Sequence, residues 1–265
     1  MTAEVKSAIA QPLTNKAASR IELAQDFKLK GFISELSQQF ENPSLYRDLS
    51  FEDRLKRCFD AQKACRDTAR FNSLFKASMI KTKVYISQIE PDEKKGLFTE
   101  DLIVLSEQKF IEKCTNIIIT GPTGTGKTCL ASACAIAAMK NGYSVRFYRI
   151  NDLIALLDTK DQLQFQRFKE SMRKIRLLCI DDYGTVLLND NVVNRINEIV
   201  DCRYNSGATI ITTQLKRDSL DLAINDNCPI KDALLDRLFN DNSRTITLSG
   251  GSWRGSTKEI RGSNV

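Results

Sequence analysis

Gly121-Pro122-Thr123-Gly124-Thr125-Gly126-Lys127-Thr128 decides how this chain is read. The octet fits G-x-x-x-x-G-K-[ST] without adjustment. Before it runs an apolar stretch, Ile117-Ile118-Ile119, and after it an alanine-rich one carrying Leu130, Ala131, Ala133 and Ala135. Strand, glycine loop and helix in that order form the setting the pattern requires. Glycines let the backbone curl until several amides point inward, and the start of the helix adds its positive end. The reading is a cradle for a nucleoside triphosphate. Lys127 is expected to reach the β- and γ-phosphates, and the Thr128 hydroxyl to hold Mg²⁺.

Such a cradle works with an acidic residue at the tip of another strand, and Leu177-Leu178-Cys179-Ile180-Asp181-Asp182 supplies it. Asp181 is expected to complete the Mg²⁺ shell, usually through water. Asp182 is expected to orient and deprotonate the attacking water. On both sides of these two motifs, short apolar runs alternate with longer amphipathic segments. Residues 116–120, 144–150, 177–181, 209–213 and 245–249 read as strands, and helical segments near 127–140, 151–174, 190–203 and 230–239 separate them. The alternation predicts an α/β fold with a parallel sheet flanked by helices.

Upstream the pattern is helical. Residues 1–20 read as a flexible arm. From Ile21 to Phe40 apolar residues recur at helical spacing, with Gly31 as an interruption that allows two short helices. Ser50 and Asp53 read as the cap of a helix that can run on through Phe71, Leu74 and Phe75. A further helix is expected over Thr99–Phe110. The domain plan is therefore an arm at 1–20, a small all-α domain at 21–83, the α/β domain at 84–250 and a flexible tail at 251–265. Between Arg54 and Lys83 nine basic residues face only Asp60 and Asp67, an excess larger than the +6 of all 265 residues. The plain alternative is a solvated helix face; the sharper reading is a set of phosphate contacts from Arg57, Lys63, Arg66 and Arg70, joined by Arg173 and Lys174 further on.

Composition excludes several chemistries. Histidine is absent, which removes Ser-His-Asp triads, Cys-His pairs, His-zinc sites and imidazole proton shuttles. None of the eight cysteines forms a C-x-x-C pair, so a zinc ribbon and a thioredoxin-type motif are excluded too, and the chain reads as reduced and cytoplasmic. The longest nearly apolar stretch, Cys129–Met139, is too short to span a bilayer.

Taken together, GPTGTGKT, IDDYG (Ile180–Gly184), DCRYNSGATIITTQL (Asp201–Leu215), ALLDRL (Ala233–Leu238) and GGSWR (Gly250–Arg254) resemble the IstB family of AAA+ ATPases, helpers of insertion-sequence transposition. That family is similar to DnaC-type helicase loaders. LSFEDRLKRCFDAQKACRDTAR (Leu49–Arg70) resembles the IstB helical region and much less that of the loaders. The resemblance implies a P-loop NTPase of AAA+ type without a C-terminal helical lid, using ATP and Mg²⁺. Thr213 would be the polar sensor of the γ-phosphate or lytic water, with Gln214 as a second candidate. Arg237 matches an arginine finger that works in a neighbouring subunit, so the active unit would be a homo-oligomer; the plain alternative is an ion pair with Asp236. Arg254 matches a second arginine that senses nucleotide. Glu often stands where this chain has Asp182, and the shorter side chain predicts slow hydrolysis.

The function these implications rank first is an ATP-dependent factor that oligomerises on double-stranded DNA and assists a cognate transposase. A helicase loader, a nucleotide-gated switch with negligible turnover and a small-molecule P-loop kinase follow in that order.

Overall fold

The computed structural model describes residues 28–239 and 243–250. They form two compact units, the first ending at Asn72 and the second beginning at Ser73.

In the first unit α1 (Lys30–Glu41) packs on the leading part of α2 (Phe51–Ser78). Gly31 stands in the first turn of α1, which starts at Lys30 after a left-handed Lys28 (φ 56°), so the described helix begins beside the glycine; residues 21–27 lie outside the described residues. A Cβ at that position would stand 2.4 Å from the Ala61 carbonyl oxygen, so the glycine is there to let two helix backbones approach. Gln62 accepts hydrogen bonds from the amides of Gly31 and Phe32, which belong to the unpaired first turn of α1. Phe32 meets Phe59 edge-on at 5.4 Å. The start of α2 is capped as its sequence predicts: the Asp53 amide donates to the Ser50 hydroxyl, which donates to the Asp53 carboxylate at 2.7 Å.

The second unit is built on five parallel strands in the order β2-β3-β4-β1-β5. In chain order its elements are α3 (Thr99–Glu107), α4 (Lys109–Glu112), β1 (Ile117–Thr120), α5 (Lys127–Lys140), β2 (Val145–Arg149), α6 (Ile150–Asp158) and α7 (Gln162–Arg173). They continue as β3 (Leu177–Tyr183), α8 (Asp190–Arg203), β4 (Ala208–Thr213), α9 (Lys231–Phe239) and β5 (Arg244–Thr247). Every residue of β1 and β4 is buried, as expected of inner strands covered on both faces. Ile118, Leu178, Ile180 and Ile211 share one core with apolar residues of α6 to α9. The alternating residues face the other side, where the alanine-rich α5 lies across β1 to β4.

Two helices expected as single pieces are divided, each for a local reason. Asp161 caps a new helix inside 151–174 by accepting the Gln164 amide at 2.8 Å, so α6 and α7 are separate. Gln108 takes a left-handed φ of 63° and ends α3 before Phe110. Arg203 belongs to the framework. It is 2% exposed, donates to the carbonyls of Met172, Ile175 and Ala208, and desolvation lowers its pKa to about 10. Phe165 lies in the core.

Candidate active site: the cleft at the strand tips

All five strands end on the same edge of the sheet, and the chain leaves β1 for β2 by crossing β4 and β3. The crevice outside the carboxyl ends at such a reversal is where open α/β sheets bind ligands. The glycine octet lies there. Gly121, Gly124 and Gly126 have φ of 149°, 87° and 89°, which L side chains rarely adopt. A Cβ on Gly121 would come within 2.3 Å of the Leu248 carbonyl oxygen, so the residue just past β5 backs the loop directly. Thr125 is buried and donates to the Pro122 carbonyl at 2.9 Å, which closes the curve from inside. Pro122 and Thr123 are exposed on its outer rim.

Lys127 is 5% exposed, and its ammonium donates to the carbonyls of Gly121 at 2.7 Å and Pro122 at 2.8 Å. Desolvation lowers its pKa, opposed by the nearby Asp182 and Asp181. The Thr128 hydroxyl stands 2.9 and 3.1 Å from the two carboxylate oxygens of Asp181. Burial raises the Asp181 pKa, while hydrogen bonds from Thr212 and Thr128 pull it down. Two hard oxygen ligands converge here from different elements. No group of three or more His, Cys, Asp or Glu able to hold a metal occurs among the described residues. That donor set fits Mg²⁺, which keeps waters and shares its shell with substrate phosphates, better than a cation needing a cage made of protein alone.

Asp182 is half-buried beside Asp181, with φ 61°. Thr213 stands differently from expectation. It is fully buried, its hydroxyl donates to the Tyr183 carbonyl at 2.7 Å and accepts the Leu215 amide at 3.0 Å, and so it is committed to the framework. Gln214 is exposed, and its side-chain oxygen accepts the Thr123 hydroxyl of the loop at 2.8 Å. Of the two sensor candidates, Gln214 is the one that touches the cradle.

Arg237 does not pair with Asp236. It donates to the Asp201 carboxylate at 2.9 and 2.8 Å and to Asn197 at 3.3 Å. Its carbonyl accepts the Asn116 side chain, just before β1, so Arg237 lies at the opposite edge of the sheet from the loop. The length of β1 separates it from this chain's own cradle. Arg254 lies outside the described residues.

Among the basic candidates, Lys63, Arg66 and Arg70 follow i, i+3, i+7 spacing and share one exposed face of α2, with Asp67 beside them. Arg57 is turned away from them, its guanidinium 5.9 Å over the Tyr46 ring. Arg173 and Lys174 are exposed at the end of α7, and Arg173 is 3.9 Å from Glu170. No helix among the described residues is long and apolar enough to cross a membrane.

Sequence reasoning missed Thr212, which is 1% exposed and bonded to both acidic residues, and Asp201, which holds Arg237. Polar Thr212 directly after the apolar pair Ile210-Ile211 is a signal, because a buried hydroxyl needs partners. Nothing comparable marked Asp201.

Residues 22–260 match the family described as IstB-like ATP binding protein. The chain belongs to that family. An IstB-like relative, the ATP-binding protein of insertion sequence IS1162 from Pseudomonas fluorescens, is 31% identical over 71% of this chain and 82% of its own length. The corresponding protein of IS232 from Bacillus thuringiensis subsp. berliner is 25% identical over 80% of this chain and 84% of its own. Among solved structures, DnaI superposes with a TM-score of 0.53 at 17% identity, over 63% of this chain and 91% of that one. AMPPCP-bound DnaA from Aquifex aeolicus gives 0.54 at 20% identity, over 64% and 51%. These likenesses give the IstB-like chain an AAA+ P-loop fold, and its family is one of ATP-binding proteins.

Proposed function

We propose that this IstB-like protein is a Mg²⁺-dependent ATPase that assembles on double-stranded DNA and assists a cognate transposase in target selection and transposition. The convergence of Thr128 and Asp181 beside the Lys127 cradle carries the nucleotide part of the reading. Bound there, Mg²⁺ would offset phosphate charge and fix the γ-phosphate for attack. The loop amides and Lys127 bind the phosphates, Asp182 takes the proton of the attacking water, and Gln214 reads whether the third phosphate is present. Arg237 supports the oligomeric part. Its place at the far edge of the sheet leaves it a neighbour's site to serve. The face of α2 bearing Lys63, Arg66 and Arg70 is the candidate DNA contact. With no base-reading module in the sequence, binding through phosphates alone is expected. The relatives' insertion-sequence origin supports a transposase as client.

Fluorescence anisotropy of labelled duplex and single-stranded DNA, with and without ATP and Mg²⁺, tests the reading. Duplex binding that requires ATP is the expected result. Preference for single strands would put a helicase-loading role in its place, and binding to neither would remove DNA as the partner. Asp182 decides between engine and switch. If Asp182→Glu hydrolyses ATP much faster than the unaltered chain, the shorter acid is what holds turnover down; equal rates would discard that explanation.

A further inference from the structure

Thr212 stands where the ladder between β3 and β4 changes step. The strands pair regularly from Leu177 opposite Ala208 to Ile180 opposite Ile211, and then Tyr183 is opposite Thr213. Two residues of β3, Asp181 and Asp182, therefore face the single Thr212, which is the arrangement of a β-bulge. Bulges next to active sites re-aim side chains. Here the bulge leaves Asp182 with a left-handed φ of 61° and its amide out of the ladder. That amide donates to the Thr212 hydroxyl at 3.0 Å, and the same hydroxyl donates to the nearer oxygen of Asp181 at 2.5 Å.

We propose that Thr212 is the positioning residue that aims both acids, acting through Asp181 on the cation and through the Asp182 backbone on the water. The proposal rests on the reading of this cleft as a Mg²⁺-nucleotide site. A threonine hydroxyl has one proton to give, so accepting from one residue and donating to the other sets a single direction for the chain. At 1% exposure, Thr212 has its place in the network sheltered from solvent. Its β-branched side chain is stiff about χ1, which keeps the hydroxyl on the bulge. Thr213, the next residue, holds the far end of the bulge through the Tyr183 carbonyl. With one Asp181 oxygen engaged by Thr212, the carboxylate is held facing Thr128. Without the hydroxyl the Asp182 amide loses that partner, and of its two hydroxyl partners Asp181 keeps only Thr128.

The test is a Mg²⁺ titration of methylanthraniloyl-ATP binding, followed by fluorescence, for the unaltered chain, Thr212→Val and Thr212→Ser. Thr212→Val is expected to raise the half-saturating Mg²⁺ concentration by about 10- to 100-fold, the usual effect of removing an outer-shell partner. Nucleotide binding in excess EDTA should stay unchanged, and Thr212→Ser should restore the original Mg²⁺ dependence. A purely structural role would weaken binding equally with and without Mg²⁺, and that result, or an unshifted titration for Thr212→Val, overturns the proposal. Binding by the unaltered chain that ignores Mg²⁺ would instead overturn the Mg²⁺ site itself, and the inference with it. Should Thr212→Val fail to fold, the Thr212 methyl resonance of the unaltered nucleotide-bound protein replaces it. It must move when Mg²⁺ is added, and a stationary signal overturns the proposal.

Discussion

Lys127 and Arg237 are both cations read as phosphate ligands, and the protein holds them in opposite ways. Lys127 is 5% exposed and, among the described residues, bonds only neutral carbonyls of its own loop. An incoming phosphate offers it a better partner without breaking an ion pair. The Arg237 side chain is 30% exposed and already bound to the Asp201 carboxylate. It must leave a charged partner before it can serve a site elsewhere. On the proposed function the loop is thus prepared to bind nucleotide within one chain, whereas the arginine would become useful only when assembly brought a competing anion.

The largest expected effect tests the second half of that contrast. Arg237→Ala should lower turnover by about 10³-fold, as loss of an arginine finger does, and leave ATP affinity unchanged. Mixing it with Lys127→Ala should recover activity, since one variant supplies the nucleotide and the other the guanidinium. Failure of the mixture would show that Arg237 does not act between subunits. Next in size, Lys127→Ala should weaken ATP binding by about 10- to 100-fold in calorimetry, the loss of a charge-assisted contact. Unchanged affinity would undo the loop's part of the comparison.

Salt sharpens it further. Exposed charges are screened and buried ones much less, so ATP affinity should respond little to added salt while DNA binding falls steeply. Replacing Lys63, Arg66 and Arg70 with alanine should reduce the slope of log affinity against log salt by roughly one per lost phosphate contact, with a smaller change for Arg57→Ala. Equal slopes for all would return α2 to the role of a solvated face. The smallest effect belongs to the ion pair that holds Arg237. Asp201→Asn should raise assembled turnover by no more than about fivefold, because an exposed ion pair contributes up to about 1 kcal/mol. A fall in turnover would mean that Asp201 aims the finger and does not restrain it.

What was legible in the sequence follows the range of the forces involved. The octet and the Asp181-Asp182 pair could be read because phosphate chemistry fixes residue types at short spacing, and the five strands because burial fixes apolar runs. The division at Asp161 was within reach too, since Asp161 and Gln164 form a capping pair visible in the sequence. Gly31 showed in the sequence as an interruption, and α1 does start beside it, but its second role of letting two helix backbones approach is invisible in one dimension. Thr213 misled for a related reason. The end of β4 was correctly located, but which of three consecutive polar residues faces the cradle depends on a bulge in β3. The grip of Asp201 on Arg237 joins two helices distant in sequence, and only the folded chain brings them together.

The inner position of β4 has a consequence for time scale. Hydrogen-bonded on one side to β3 and on the other to β1, with every residue buried, it belongs to the part of a fold whose amides exchange last. Thr212 is thus fastened within an inner, fully buried strand, and Gln214 follows directly on its end. On the proposed function, breathing at the rim would admit and release nucleotide while Thr212 and its partners stay in place, because an inner strand opens late.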